Sequence, residues 1–276
     1  MLRPVAGDER CGLKFVMTLL ETRTLSKYFG GLAAISQLDL DVYPLEILGL
    51  IGPNGAGKTT LFNVLNGFQK PNEGRVIFKG QDITGLKAHK IAQLGIGRAF
   101  QASTLFMRLT VFDNVFNGFH MNYKEGGWRS FLHTPRARKE ERNIKQRVME
   151  ILEFMGLAES KDQLAQNLPY GHQKILGVCI ALATEPTLLL LDEPLNGMNP
   201  EETSTVLDLL NKVREKGITI LLVEHNMDAV MRICDRIVVL NHGKKIAEGL
   251  PREIGNNKEV IDAYLGADEE VDGIVS

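Results

Sequence analysis

GPNGAGKTT, residues 52–60, fits the pattern G-x-x-x-x-G-K-[ST] in full from Gly52 to Thr59. It follows the apolar run EILGLI and precedes TTLFNVLNGF, whose apolar spacing is helical. The flanking strand and helix separate it from a glycine-rich turn that matches by accident. Gly52, Gly55 and Gly57 let backbone N–H groups turn inward around phosphate oxygens. Lys58 supplies a point charge for the β- and γ-phosphates, and Thr59 offers a hydroxyl to Mg²⁺. Pro53, Asn54, Ala56 and Thr60 complete the nucleotide-binding stretch.

The matching acid lies in LLLLDEP, where Asp192 ends an apolar strand and can hold the Mg²⁺ shell. A second carboxylate, Glu193, can accept the proton of an attacking water. The alternative for Glu193 is a solvated strand end. His225 follows another apolar strand in LLVEHN, where an imidazole can reach the γ-phosphate and orient the water. A lone histidine after a strand is more often structural; its order after the loop and the Asp-Glu pair gives it weight.

NLPYGHQKILGVCIALATEP, residues 167–186, opens a helix at Pro169 and leaves its first turn bare at Gly171. A helix start with exposed N–H groups suits an anion.

The remaining chain reads as an α/β protein. LLETRTLSKYF, LAAISQLDLDVY and RVIFKGQDI alternate like half-exposed strands of an antiparallel flank. EILGLIGP, TLLLLDEP and TILLVEH are short continuous apolar runs, as in a parallel sheet covered on both faces. RIVVLNHGKKIAEG predicts a hairpin turning at His242-Gly243. Between Thr110 and Leu168 the strand signal vanishes, and VFDNVFNGFHM and PRARKEERNIKQRVMEILEFMGL read as helices. PREIGNNKEVIDAYLG predicts two short helices. The expected domain therefore spans 17–266, a P-loop NTPase core with mixed sheet, antiparallel β flank and an inserted α-helical subdomain at about 105–182. Residues 1–16 read as a disordered lead or an over-extended start, and 267–276 as a flexible acidic tail.

Of 276 residues, 44% are hydrophobic and 24% charged, which is globular composition. The formal net charge of −2 gives no global electrostatic case for nucleic acid. Cys11, Cys179 and Cys234 form no CxxC and read as reduced thiols, the last two as small apolar residues on helices. No apolar run approaches the ~18 residues that span a bilayer, and the N-terminus lacks a secretory apolar core. A cytoplasmic protein is expected, with any membrane role exercised through partners.

These residues, in this order, resemble the ATP-binding cassette (ABC) family over roughly Leu19 to Gly266. GPNGAGKTT looks like its Walker A, LLLLDEP its Walker B and His225 its switch histidine. The resemblance implies the ABC ATPase fold, ATP and Mg²⁺ as ligands, and ATP hydrolysis that powers a membrane transporter. Gln101 in GRAFQ matches the Q-loop glutamine, which in this family touches Mg²⁺ or water and senses the membrane partner. Phe29 in KYFGG stands at the aromatic position that stacks on adenine; Tyr28 is a rival, and a core aromatic is the other reading.

LPYGH stands at the family's LSGGQ signature, whose helix start faces the γ-phosphate held by another subunit. The resemblance thus implies a dimer, two-fold or pseudo-two-fold, in which the N–H groups of Tyr170, Gly171 and His172 reach a partner's nucleotide. This chain departs from the pattern. Pro169 replaces the serine, Tyr170 a glycine and His172 the glutamine. NGMNP stands where SALD is usual, with Asn199 at the aspartate position. A weakened site and a pairing with a better-furnished sister chain both remain open.

The departures, with LLVEHNMD and NNKEVIDAYLG, look like the ATPases of branched-chain amino-acid importers, and the insert GGWRSFLHTPRARKEERN fits the larger of their two ATPases. Relatives with similar endings serve urea transport or lipopolysaccharide export. Expected partners are a second ABC ATPase, identical or related, membrane permease subunits at the inner face of the cell membrane, and indirectly a solute-binding protein. The basic run Arg136, Arg138, Lys139, Arg142, Lys145 and Arg147 reads as a solvated helix face; a face near anionic lipid with Trp128 and Phe131 is the alternative. Two other classes compete. A soluble single-cassette assembly factor is the first. A GTPase would need [NT]-K-x-D, and NKVR and NKEV lack the aspartate.

Overall fold

The computed structural model describes residues 17–99, 105–120 and 135–264. They fall into two compact units: residues up to Leu86 together with those from Cys234 onward, and Lys87–Ile233.

In the first unit, β1 (Leu20–Phe29) pairs antiparallel with β2 (Leu32–Val42) and β4 (Glu73–Phe78). Alternation puts Leu20 and Thr22 of β1 and Leu38 and Leu40 of β2 inside, and a register shift after Thr22 lets Leu25 be buried as well. RVIFKGQDI, expected as one strand, is two. Lys79 and Gly80, both at positive φ, turn the chain after β4 into β5 (Gln81–Asp82), pairing Phe78 with Gln81. β3 (Ile47–Ile51), buried throughout, runs into α1 (Lys58–Leu65). β3 pairs in parallel with β9 (Arg236–Asn241), which turns at His242-Gly243 into β10 (Lys244–Gly249). The positive φ of both turn residues matches the primed hairpin that the sequence predicts.

Register between β3 and β9 is pinned by side chains. The Asp235 carboxylate accepts from the Ile47 amide at 2.8 Å. The Arg236 guanidinium donates to Glu46 at 2.8 Å and to the Asp41 carbonyl, and pairs with Glu248. Burial pushes the Glu46 carboxyl up, opposed by Arg236. The chain ends in α8 (Pro251–Gly255) and a further helical stretch over 258–264.

In the second unit, α2 (Ala88–Leu94) leads into β6 (Ile96–Ala99), a strand the sequence patterns did not signal. β6 pairs in parallel with β7 (Leu188–Asp192), and β7 with β8 (Thr219–Val223). Every residue of β7 and β8 is buried, as their unbroken apolar runs require. Among the described residues, three α-helices lie between β6 and β7: α3 (Val111–His120), α4 (Pro135–Phe154) and α5 (Tyr170–Leu182). Gly118 lets α3 approach α5 closely, since a Cβ there would lie 2.8 Å from the Ile180 carbonyl oxygen. α4 buries Ile144, Val148 and Leu152 at four-residue spacing. Arg138, Lys139 and Arg142 are exposed, and Lys145 pairs with Glu141 at 2.7 Å, as a solvated face would. Arg147, still partly exposed, lies over the Phe119 ring and pairs with Glu185. Trp128 and Phe131 lie outside the described residues.

α6 (Pro200–Glu215) and α7 (Met227–Ile233) complete the unit. Cys179 is buried in α5, and its thiol is pushed up by burial. Cys234 is buried too, but stands one residue beyond α7 rather than on it.

Candidate functional site

The phosphate loop joins β3 to α1. Gly52 leaves the strand at φ +150°, and Gly57 caps α1 at φ +102°, with no side chain capping the helix and no acid in its first turn. The first amides of α1 are therefore left to an anion. Gly57 is obligatory on two counts: its φ disfavours a side chain, and a Cβ would lie 2.3 Å from the Ala34 carbonyl oxygen. The Ala56 carbonyl accepts from the Gly243 amide at 3.1 Å, tying the loop to the hairpin turn. Lys58 is buried, and its Nζ donates to the carbonyls of Gly52 (2.6 Å) and Pro53 (2.9 Å). Asn54, Gly55 and Thr59 are exposed, Pro53 and Thr60 half-buried and Ala56 buried.

In the same unit, Phe29 ends β1 with 47% of its surface exposed, which does not suit a core aromatic. The Lys27 ammonium lies 5.2 Å from its ring centroid. Tyr28 is half-buried, and its amide donates to Asn72. Tyr264 was not anticipated near the loop: burial pushes its phenol up, and the Gly52 amide opposes the shift.

In the second unit, Asp192 ends β7 in a near-buried ion pair with Arg98 of β6, at 2.7 Å. The sequence carried one signal of this: an arginine inside the apolar stretch GIGRAF. Removing one partner of such a pair costs about 3–5 kcal/mol, because it leaves the other charge buried alone.

Glu193 follows at φ +50°, its amide donating to the Val223 carbonyl at 2.9 Å. Its Oε1 lies 2.7 Å from His225 Nε2, so two of the residues singled out in sequence do meet. The Asn196 amide group stands 3.4 Å from the other carboxylate oxygen.

Glu224 was missed, being read as part of an apolar strand end. It is buried, accepting from the amides of Leu195 at 2.7 Å and His225 at 3.1 Å. It thereby fixes the turns that carry Glu193 and His225. Burial raises its carboxyl above the ordinary 4.5, with the backbone amides of Leu195, His225 and Asn226 opposing. The folded chain thus holds this proton more tightly than the unfolded chain. The Glu224 contribution to stability is full below pH 4.5 and is lost as pH rises through the raised value. Glu224→Gln should flatten that part of the pH profile, read as urea midpoints at stepped pH.

α5 begins after Pro169 at φ −53°, with no side-chain cap. The Gln173 amide is the first to return to the Pro169 carbonyl, so the amides of Tyr170, Gly171 and His172 precede the helical ladder. Tyr170 and His172 are exposed, while Gly171 is buried against Glu202, whose Oε1 lies 3.0 Å from where a Cβ would stand. Asn199 caps α6, its Oδ1 accepting from the amides of Glu201 and Glu202 at 3.0 and 2.9 Å. Gln101 lies outside the described residues.

Comparison with known proteins agrees with these motifs. The family described as "ABC transporter" matches residues 35–196, and the family described as "Branched-chain amino acid ATP-binding cassette transporter" matches residues 244–270. The chain is 43% identical over 249 residues to the high-affinity branched-chain amino acid transport ATP-binding protein LivG of Escherichia coli K12, covering 90% of this chain and 98% of the relative. The lipopolysaccharide export system ATP-binding protein LptB of Haemophilus influenzae is 33% identical, with 91% and 98% covered. Among solved structures, the ADP conformation of MJ1267, an ATP-binding cassette of an ABC transporter, superposes with a TM-score of 0.81 at 33% identity, covering 91% of this chain and 99% of that one. With the phosphate loop, the Asp-Glu pair and matches spanning nearly its whole length, the chain belongs to the ATP-binding cassette family of transporter ATPases.

Proposed function

We propose that this chain is the ATP-hydrolysing subunit of a membrane importer for branched-chain amino acids, working by ATP-driven closure of two ATPase subunits. The carrying observation is the 43% identity to LivG over nearly all of both chains, against 33% to LptB. The match of residues 244–270 to the branched-chain family supports the same solute class. Among the described residues no helix is long and apolar enough to cross a membrane. The transport path would belong to permease subunits that this chain engages at the inner membrane face. A second ATPase subunit, identical or related, would complete the pair, and a solute-binding protein would act indirectly.

In this reading Phe29 stacks on adenine, and Gly52 to Thr60 cradle the phosphates. The fit rests on the uncapped start of α1 and on a Lys58 ammonium already lodged among loop carbonyls. Mg²⁺ would be held by Thr59, Asp192 and Gln101. Among the described residues no group of three or more His, Cys, Asp or Glu side chains could hold a metal ion. That suits Mg²⁺, which in such sites is held by one or two carboxylates plus substrate phosphates, where it neutralises charge developing on the phosphoryl group.

A water attacks the γ-phosphorus, the bond to the bridging oxygen breaks, and ADP departs. Glu193 takes the proton of that water. His225, in contact with the Glu193 carboxylate, keeps it oriented. The amides of Tyr170, Gly171 and His172 serve the nucleotide of the sister subunit. Each hydrogen bond to a charged group contributes about 1.5–3 kcal/mol, so the absent signature serine weakens closure without abolishing it.

The test is uptake of labelled leucine, isoleucine and valine by cells deleted for this chain. Uptake should fall to background, be restored by the parent chain, and not be restored by Lys58→Ala. Undiminished uptake of all three after deletion would remove the solute assignment.

A further inference from the structure

Lys174 is a buried charge that the proposed reaction leaves unused. It lies in α5 with 8% of its surface exposed. Its Nζ donates to the backbone carbonyl of Glu193 at 3.4 Å. The same ammonium lies 5.4 Å from the centroid of the Tyr170 ring, within cation–π range. Among the described residues no carboxylate stands within ion-pair distance of it. A buried ammonium is costly to keep, and this one is spent on a carbonyl and a ring.

Both contacts fall at decisive places. Glu193 sits at φ +50°, a left-handed conformation that is strained for a non-glycine residue. Such strain persists only where the surroundings over-determine it. The Val223 carbonyl holds the Glu193 amide, and Lys174 holds its carbonyl. With both peptide groups fixed, the carboxylate is delivered to His225 at 2.7 Å. Gly197, at φ +80°, also meets the Tyr170 ring and leaves room where a Cβ would come within 2.9 Å of it.

We infer that Lys174 is a positioning residue for hydrolysis: its ammonium fixes the Glu193 carbonyl and, through the Tyr170 ring, ties that turn to the start of α5. This rests on the proposed role of Glu193 as base. It also gives Tyr170 a use. The ring stands where the signature pattern has glycine, and it holds the cation whose other contact is the carboxylate-bearing turn.

The test compares Lys174→Met, Lys174→Arg and Tyr170→Leu with Glu193→Gln in the full chain, at protein concentrations where two copies pair. Lys174→Met should lower kcat by about tenfold to a hundredfold, the scale of a displaced catalytic group, with KM for ATP within about twofold. Lys174→Arg, which keeps charge and donors, should retain at least about a third of the parent rate, and Tyr170→Leu should fall between. If Lys174→Met fails to melt cooperatively, the other two variants carry the comparison. A parental kcat in Lys174→Met or in Tyr170→Leu, or equal losses in the Met and Arg variants, overturns the inference. Normal turnover by Glu193→Gln would overturn the base assignment instead; loss there with parental Lys174→Met leaves the base standing and removes only Lys174.

Discussion

Glu193→Gln is expected to bind ATP within about twofold of the parent and to hydrolyse it about 10²- to 10⁴-fold more slowly, the range for loss of a positioned base. Glutamine keeps the shape and the backbone of the turn. It keeps the amide bond to Val223 and the carbonyl bond from Lys174. What it lacks is an oxygen that can take a proton. The partner at 2.7 Å, His225, is a weaker substitute, since its contact in the parent is to the carboxylate itself. Bound ATP that is not consumed should hold two copies together, so size-exclusion chromatography with Mg-ATP should show a dimer that the parent forms only transiently. The base assignment fails if this variant turns over ATP at the parent rate.

The second large effect is mechanical. Gly57→Ala should cost about 2–5 kcal/mol of folding stability, combining overpacking with strain at positive φ. The added Cβ would lie 2.3 Å from a backbone oxygen, that of Ala34, which belongs to a paired strand and cannot swing aside like a side-chain tip. Because Lys58 begins α1 at the next residue, the displacement passes directly into the phosphate cradle. Nucleotide binding should therefore weaken even in the fraction that folds. Gly55→Ala is the control: φ is +79°, but no atom lies within 4 Å of its Cβ. Its cost should be near the ~1–2 kcal/mol of backbone strain alone. Urea unfolding of both variants, with fluorescent-nucleotide titration, checks the order. Equal losses at 55 and 57 would show that crowding against Ala34 plays no part.

Legibility in the sequence followed the range of the interaction. The phosphate loop and the His242-Gly243 turn are local patterns and were readable outright. So were β3, β7 and β8, whose burial on both faces leaves unbroken apolar runs. The Lys79-Gly80 turn was passed over because RVIFKGQDI keeps its alternation through the reversal. β6 was invisible because it has four residues and one is Arg98, a charge that makes sense only beside Asp192, far along the chain. Glu224 and Lys174 share that property. Each is a charged residue in an apolar setting, satisfied by backbone groups that no spacing rule reveals. Asn199, weighed only as a substitute for an aspartate, also caps α6. The basic face of the insert helix is exposed at Arg138, Lys139, Arg142 and Lys145 as its charge pattern required, while Arg147 also meets the Phe119 ring of α3.

The pairing of β3 with β9 has a temporal side. The strand that launches the phosphate loop leaves the ribosome almost 190 residues before Arg236–Asn241, which pairs along its edge. At ~5–20 residues per second, the early half waits roughly 10–40 seconds for its neighbour. A nascent chain stalled between residues 60 and 236 carries the phosphate loop without the strand that pairs beside β3. The edge of β3 that β9 covers therefore stays unpaired until Arg236–Asn241 has been made.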